Sequence, residues 1–165
     1  MKRSVIGHWS LVICLILGCM AFTSCRRDII YSQFRAMPCN QWHQDSVQTF
    51  DYTIADTSAD YQMLVYVRHT ERYPYQNMWL FTGDSARQDT IEFYLADDRG
   101  QWLGNKRNGF IEMPVLYEEN YHFSDTGTYH LTIQHGMRDS VLRGITDVGL
   151  EVVKMKGEKR WARIN

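Results

Sequence analysis

The chain has 165 residues, 44% hydrophobic and 22% charged, which excludes a disordered polypeptide and suits one domain. A formal net charge of −1 offers no basic face and argues against a nucleic-acid partner. Aromatics reach 13%, with ten Tyr, seven Phe and five Trp against only three Pro, a balance that favours strands and contact surfaces over a helical bundle.

Residues 1–24 read as a leader that is removed. Met1-Lys2-Arg3 supplies a positive start, and Leu11 to Phe22 is an uninterrupted apolar run of twelve residues. A spanning helix needs roughly 17–25 such residues, so the run is the hydrophobic core of a signal peptide. Phe22-Thr23-Ser24-Cys25 then has the form of a lipobox, followed at once by Arg26, Arg27 and Asp28. A thiol is required there because sulfur is the atom that receives the diacylglycerol, and small residues before it let the backbone enter the peptidase. Ile16-Leu17-Gly18-Cys19 is a second candidate, disfavoured because it leaves Met20, Ala21 and Phe22 on the mature protein and shortens the apolar run to eight residues. Cleavage before Cys25 makes that residue the lipid attachment point. Cys14 and Cys19 leave with the leader, so Cys39 has no intramolecular disulfide partner, and it is expected as a small apolar contact. The loss of Lys2 and Arg3 leaves a mildly acidic body with no polybasic patch, which depends on its lipid to stay on an anionic membrane.

Residues 25–45 are mixed and aperiodic and read as a lipidated tether ending in a docked segment anchored by Trp42. From Ser46 the period is two. Phe50, Tyr52 and Ile54 alternate with polar neighbours, as do Tyr61, Met63, Val65 and Val67. Asn77 to Phe81 is a short dense run. Ile91, Phe93 and Leu95 alternate, then Tyr129, Leu131 and Ile133, then Val148, Leu150 and Val152. Each run buries one face and shows the other. Turn chemistry separates them at Gly83-Asp84-Ser85, Asp97-Asp98-Arg99-Gly100, Asn108-Gly109 and Ser124-Asp125-Thr126-Gly127. Only Arg138 to Arg143 has the look of a helical turn. The expectation is one all-β domain over 46–157, an antiparallel β-sandwich of jelly-roll-like type, with a flexible tail over 158–165.

The catalytic and metal motifs are missing: there is no G-x-S-x-G, H-E-x-x-H, C-x-x-C or phosphate-binding glycine loop. Gly83-Asp84-Ser85 lies between two β-runs and reads as a hairpin turn. His130 and His135 have opposite parity on one strand, so they face opposite ways. His122 and His130 could meet across a hairpin, yet two imidazoles without a further ligand make a poor site. Asp97 and Asp98 read as a solvated turn, with calcium the alternative. No enzyme activity, cofactor, metal or small-molecule substrate is expected. Tyr73, Tyr75 and Trp102 are aromatic and lie beside turns, and they form a candidate partner-contact surface. Arg138 is expected to pair with a carboxylate or cap a turn.

Four segments together resemble a known family. They are Trp42-His43-Gln44-Asp45-Ser46 with Phe50; Arg68 with Tyr73-Pro74-Tyr75-Gln76-Asn77-Met78-Trp79-Leu80; Asp98-Arg99-Gly100-Gln101-Trp102-Leu103-Gly104; and Gly127-Thr128-Tyr129 leading through Gln134, Met137 and Arg138 to Leu142-Arg143-Gly144-Ile145-Thr146-Asp147-Val148-Gly149. With the lipoprotein signal, these are similar to the GldH family, the gliding motility lipoproteins of Bacteroidetes. The resemblance implies an envelope lipoprotein associated with gliding and type IX secretion proteins, without catalytic residues or a cofactor. Together with Arg26-Arg27 in place of an acidic stretch, it points to the periplasmic face of the outer membrane. A carbohydrate- or cell-wall-binding module is the alternative, by analogy of fold.

Overall fold

The computed structural model describes residues 27–84 and 87–155. The leader, Cys25, Ser85 and the tail 158–165 lie outside the described residues. Within them the chain forms β1 (Asp28–Ala36), a single 3-10 turn (Pro38–Asn40), β2 (Gln41–His43), β3 (Gln48–Ile54), β4 (Asp60–His69), β5 (Asn77–Gly83) and β6 (Gln88–Tyr94), followed by β7 (Asn105–Arg107), β8 (Phe110–His122), β9 (Gly127–His135), β10 (Val141–Arg143) and β11 (Ile145–Lys154). One sheet has the order β1-β11-β4-β8-β7 and another the order β3-β9-β5-β6, while β2 and β10 form a separate ribbon. Every pairing is antiparallel.

The period of two becomes the core directly. Tyr61, Met63, Val65 and Val67 of β4 and Val148, Leu150 and Val152 of β11 are buried from one sheet. Phe50, Tyr52 and Ile54 of β3, Leu80 of β5, and Leu131 and Ile133 of β9 are buried from the other. All belong to one hydrophobic cluster, so the two sheets share a core. Toward the start of β1 that core is closed by aromatic rings. Phe123 lies edge-on to Tyr61 at 5.3 Å, Tyr121 at 4.7 Å and Tyr129 at 4.6 Å.

Within residues 25–45, read from sequence as a tether ending in a docked segment anchored by Trp42, the tether part forms the strand β1, while Trp42 in β2 is fully buried. β1 pairs with β11 along its whole length, from Asp28 opposite Lys154 to Ala36 opposite Asp147. As an edge strand it is exposed at most positions and has no alternation to detect. Phe34 holds its middle, packing on the bare backbone of Gly149 beneath the Arg68 guanidinium, which stands 3.7 Å from the ring centre. Arg68 also bonds Glu112 at 2.8 Å, tying β4 to β8 on the same face.

β8, the longest strand at 13 residues, was also invisible to the period. Its register with β4 slips on both sides of Met63, and Asn120 is left-handed at φ 57°. Pro114 lies beyond the reach of β7, where one edge of β8 is open and a missing N–H costs little. The helical turn expected over Arg138 to Arg143 is a bend that leads into β10. Cys39, expected as an apolar contact, is exposed and left-handed at φ 54°.

Candidate functional site: the arginine- and aromatic-lined end of the sheets

Opposite the start of β1, four loop segments converge where β4 ends and β11 begins. Tyr73, Tyr75 and Trp102 do come together there, around His69. Trp102 stands edge-on to His69 at 4.7 Å, and Tyr73 lies 5.8 Å from both His69 and Tyr75. The contact surface read from sequence is corrected at one member, because Tyr73 is only 2% exposed and its hydroxyl donates to the Asn77 carbonyl at 2.9 Å. The 70–76 connection folds back over the sheet end, turning Tyr73 inward and burying it enough to raise its phenol pKa. Tyr75 and Trp102 remain half-buried. The Tyr75 hydroxyl donates to Asp139 at 2.6 Å, and that bond raises its pKa. Trp102 is fixed by a lone β-bridge to Ala96 and by the Leu103 N–H donating to the Leu95 carbonyl at 2.8 Å.

Beside this cluster opens a cavity of about 650 Å³, lined by Cys39, Asn40, Gln41, Thr70, Arg72, Arg143 and Gly144. Its walls are stapled at Gly144. The Gly144 N–H donates to the Asn40 carbonyl at 2.8 Å, and the Gly144 carbonyl accepts from the Thr70 N–H at 2.7 Å. Glycine is required there: φ is +84°, and a Cβ would sit 2.5 Å from the Tyr73 nitrogen. From sequence Arg72 carries no signal, and Arg143 stands only at the end of an expected helical turn and within a family-like phrase. They lie 71 positions apart, and nothing local signals that they line one cavity.

The remaining polar groups read from sequence are accounted for locally. Gly83 closes β5 and Gln88 opens β6; across that hairpin Asp84 donates its N–H to the Arg87 carbonyl at 2.9 Å and accepts from the Arg87 N–H at 2.7 Å. Asp97 accepts from the backbone N–H groups of Arg99 and Gln101, as an Asx turn. β8 and β9 lie in different sheets, so His122 and His130 do not face each other across a hairpin; His122 contacts Asp60 at 3.4 Å and His130 contacts Asp51 at 2.5 Å. Among the described residues no three His, Cys, Asp or Glu side chains are grouped to hold a metal ion.

His69 and His135 are fully buried, and desolvation lowers both pKa values below the usual 6.5. The unfolded chain therefore takes up protons first as pH falls. Stability should hold above about pH 6.5 and decline below it, toward the depressed folded values. Urea midpoints measured between pH 7.5 and 5 check this; a flat profile over that window would contradict the burial of neutral imidazoles. Carboxylate protonation enters only near the unfolded value of about pH 4, where the unfolded chain binds protons before Asp56, bonded to Lys154 and Ser58, and Glu71, bonded to Lys106, whose folded pKa values are lowered.

Fold and site together define an all-β domain of antiparallel sheets with an arginine-bearing cavity where the β2–β10 ribbon meets the loop after β4. The family model described as GldH lipoprotein matches residues 29–152, and the chain belongs to that family. It is 30% identical to the gliding motility lipoprotein GldH homolog of Christiangramia forsetii, over 87% of this chain and 94% of that protein. It is 29% identical to the gliding motility lipoprotein GldH of Flavobacterium johnsoniae, over 84% and 92% respectively.

Proposed function

We propose that the protein is a lipid-anchored, non-catalytic subunit of an envelope assembly serving gliding motility and the linked type IX secretion, held on the periplasmic face of the outer membrane. The observation that carries this reading is the extent of the family match, which runs from the first strand of the β-domain to the last. Cys25 is the acyl acceptor, and the two or three chains of a lipoprotein suffice for stable anchoring. β1 opens at Asp28, three positions after Cys25, and an extended chain of that length spans only about 10 Å. The domain therefore stands close to the bilayer.

The strand orders β1-β11-β4-β8 and β3-β9-β5-β6, antiparallel throughout, support reading the two sheets as a jelly-roll sandwich. Such a scaffold presents loops and outer faces to partners while its own core stays fixed. In-cell crosslinking and capture of the tagged protein tests the subunit reading. Recovery of other gliding or secretion proteins is expected, with Cys25→Ala either soluble in the periplasm or held as precursor. A Cys25→Ala protein that is processed yet still sediments with membranes would contradict the lipid reading.

A second reading, a carbohydrate- or cell-wall-binding module, is favoured by one observation. Trp79, Phe81 and Tyr94 lie on the outer face of β5 and β6, at 39%, 46% and 57% exposure, and sugar rings stack on such faces. Co-purification of glycan without protein partners in the same capture would move this reading ahead.

A further inference from the structure

We propose that the cavity lined by Cys39, Asn40, Gln41, Thr70, Arg72, Arg143 and Gly144 binds an acidic, extended polypeptide segment, with Arg72 and Arg143 taking its carboxylates. This rests on the reading of the protein as a subunit that recruits other proteins.

Charge is the first argument. Arg68, Arg87 and Arg107 each hold a carboxylate of this chain, whereas Arg72 and Arg143 are exposed and in no ion pair among the described residues. No carboxylate lines the cavity; its other polar side chains, Asn40, Gln41 and Thr70, are uncharged hydrogen-bonding groups. Two free guanidinium forks over a neutral polar wall suit carboxylates, which they bind in bidentate fashion. A second cavity of about 360 Å³ shares Thr70 and Arg72, but there Lys106 is paired with Glu71 at 2.8 Å and Arg107 lies 3.7 Å from Glu112, so the unpaired cations are those of the first cavity.

Backbone supplies the second argument. Arg143 and Gln41 are register partners in the β2–β10 ribbon, and neither strand pairs with a third among the described residues. The Gln41 N–H is already held by the Pro38 carbonyl, so the β10 edge at Arg143 is the one left to receive an extended chain by strand addition. The wall is also held in an uncommon conformation: Cys39 and Asn40 are left-handed at φ 54° and 55°, a strain that persists only where surroundings enforce it.

Position is the third argument, and it sets aside the anchoring membrane as the occupant. The nine residues of β1 run from Asp28 to Ala36, and Met37 continues straight into the cavity wall. A strand of that length covers about 30 Å. With the lipid at the Asp28 end, the arginines lie about 30 Å along β1 from the anchor, so a domain standing upright on its lipid holds them several Debye lengths from the headgroups, one being about 8 Å at physiological salt.

The test uses the lipidated full chain in nanodiscs of neutral phosphatidylcholine and a fluorescent peptide of alternating serine and glutamate, read by anisotropy. Saturable binding is expected, weakened at least tenfold in the Arg72→Ala/Arg143→Ala variant and partly kept when both become Lys. Both side chains are exposed, so the variant should keep the wild-type near-UV circular dichroism. Equal binding by wild type and double-Ala variant would overturn the proposal. So would absence of peptide binding, or arginine-dependent capture of phosphatidylglycerol vesicles in its place. Failure of the peptide while partner capture succeeds removes this inference alone; peptide binding without any captured partner removes the assembly reading and leaves the site.

Discussion

Trp42→Ala is expected to cost about 3–5 kcal/mol of folding stability, the range for truncating a large aromatic in a core. Trp42 is fully buried although its strand, β2, has only three residues. Its indole N–H donates to the Ser46 carbonyl at 2.8 Å, and its ring meets His135 edge-on at 5.3 Å. The side chain therefore pins the β2–β10 ribbon to the end of β9. Removal leaves a void that cannot collapse readily. Leu142 opposite it in the ribbon is itself fully buried, and the Gln44 N–H is held by the Ser140 carbonyl at 2.8 Å. It also removes the indole donor from the Ser46 carbonyl, which then keeps only the Gln48 side-chain amide at 3.0 Å. Urea unfolding of wild type and variant measures the difference. Trp79→Ala is the matched control, since that ring lies on the outer face of β5, and a loss under about 1 kcal/mol is expected for it. Equal losses for the two variants would mean that the 37–46 segment is not part of the cooperative unit.

What could be read from sequence divides along a physical line. Strands with one buried and one solvated face announce themselves: β3, β4 and β11 bury the residues that alternation assigned to the interior, and β9 buries Leu131 and Ile133 with Tyr129 partly exposed. β1 and β8 did not. β1 lies at an edge and is held by Phe34 over Gly149 and Tyr31 against Tyr52 in place of a buried face, while β8 breaks its own period with two register slips and an internal proline. The site divides likewise. Aromatic residues near turns were recognised, and three of them do converge, but whether a ring near a turn points out or in depends on where its loop folds. That decision is made by His69, Trp102 and the Gly144 staple, far apart in the chain. The dense run Asn77 to Phe81 buries Met78 and Leu80 on one face and, paired with β6 and β9, sends Trp79 and Phe81 to the other, but which of its faces is the outer one is not legible from density.

Gly144→Ala is expected to cost about 3 kcal/mol, the sum of two separable effects. A left-handed φ of +84° penalises any L side chain by roughly 1–2 kcal/mol. The added methyl would also lie 2.5 Å from the Tyr73 nitrogen, 2.9 Å from the Arg72 carbonyl carbon and 3.0 Å from the Tyr73 Cα, and forcing extra volume into a packed site typically costs about 1–3 kcal/mol. All three neighbours are backbone atoms, so no rotamer change relieves the contact. The 70–73 segment must move, which breaks the staple through Thr70 and Asn40 and widens the arginine cavity. Gly109→Ala separates the two effects. Its φ is +91°, yet nothing lies within 4 Å of the new methyl, so only the conformational penalty remains. Denaturant midpoints should therefore rank wild type above Gly109→Ala and that variant well above Gly144→Ala. If the two alanines cost the same, the close approach at Gly144 yields easily. The cavity would then lose the rigid wall that holds Arg72 and Arg143 ready for a ligand.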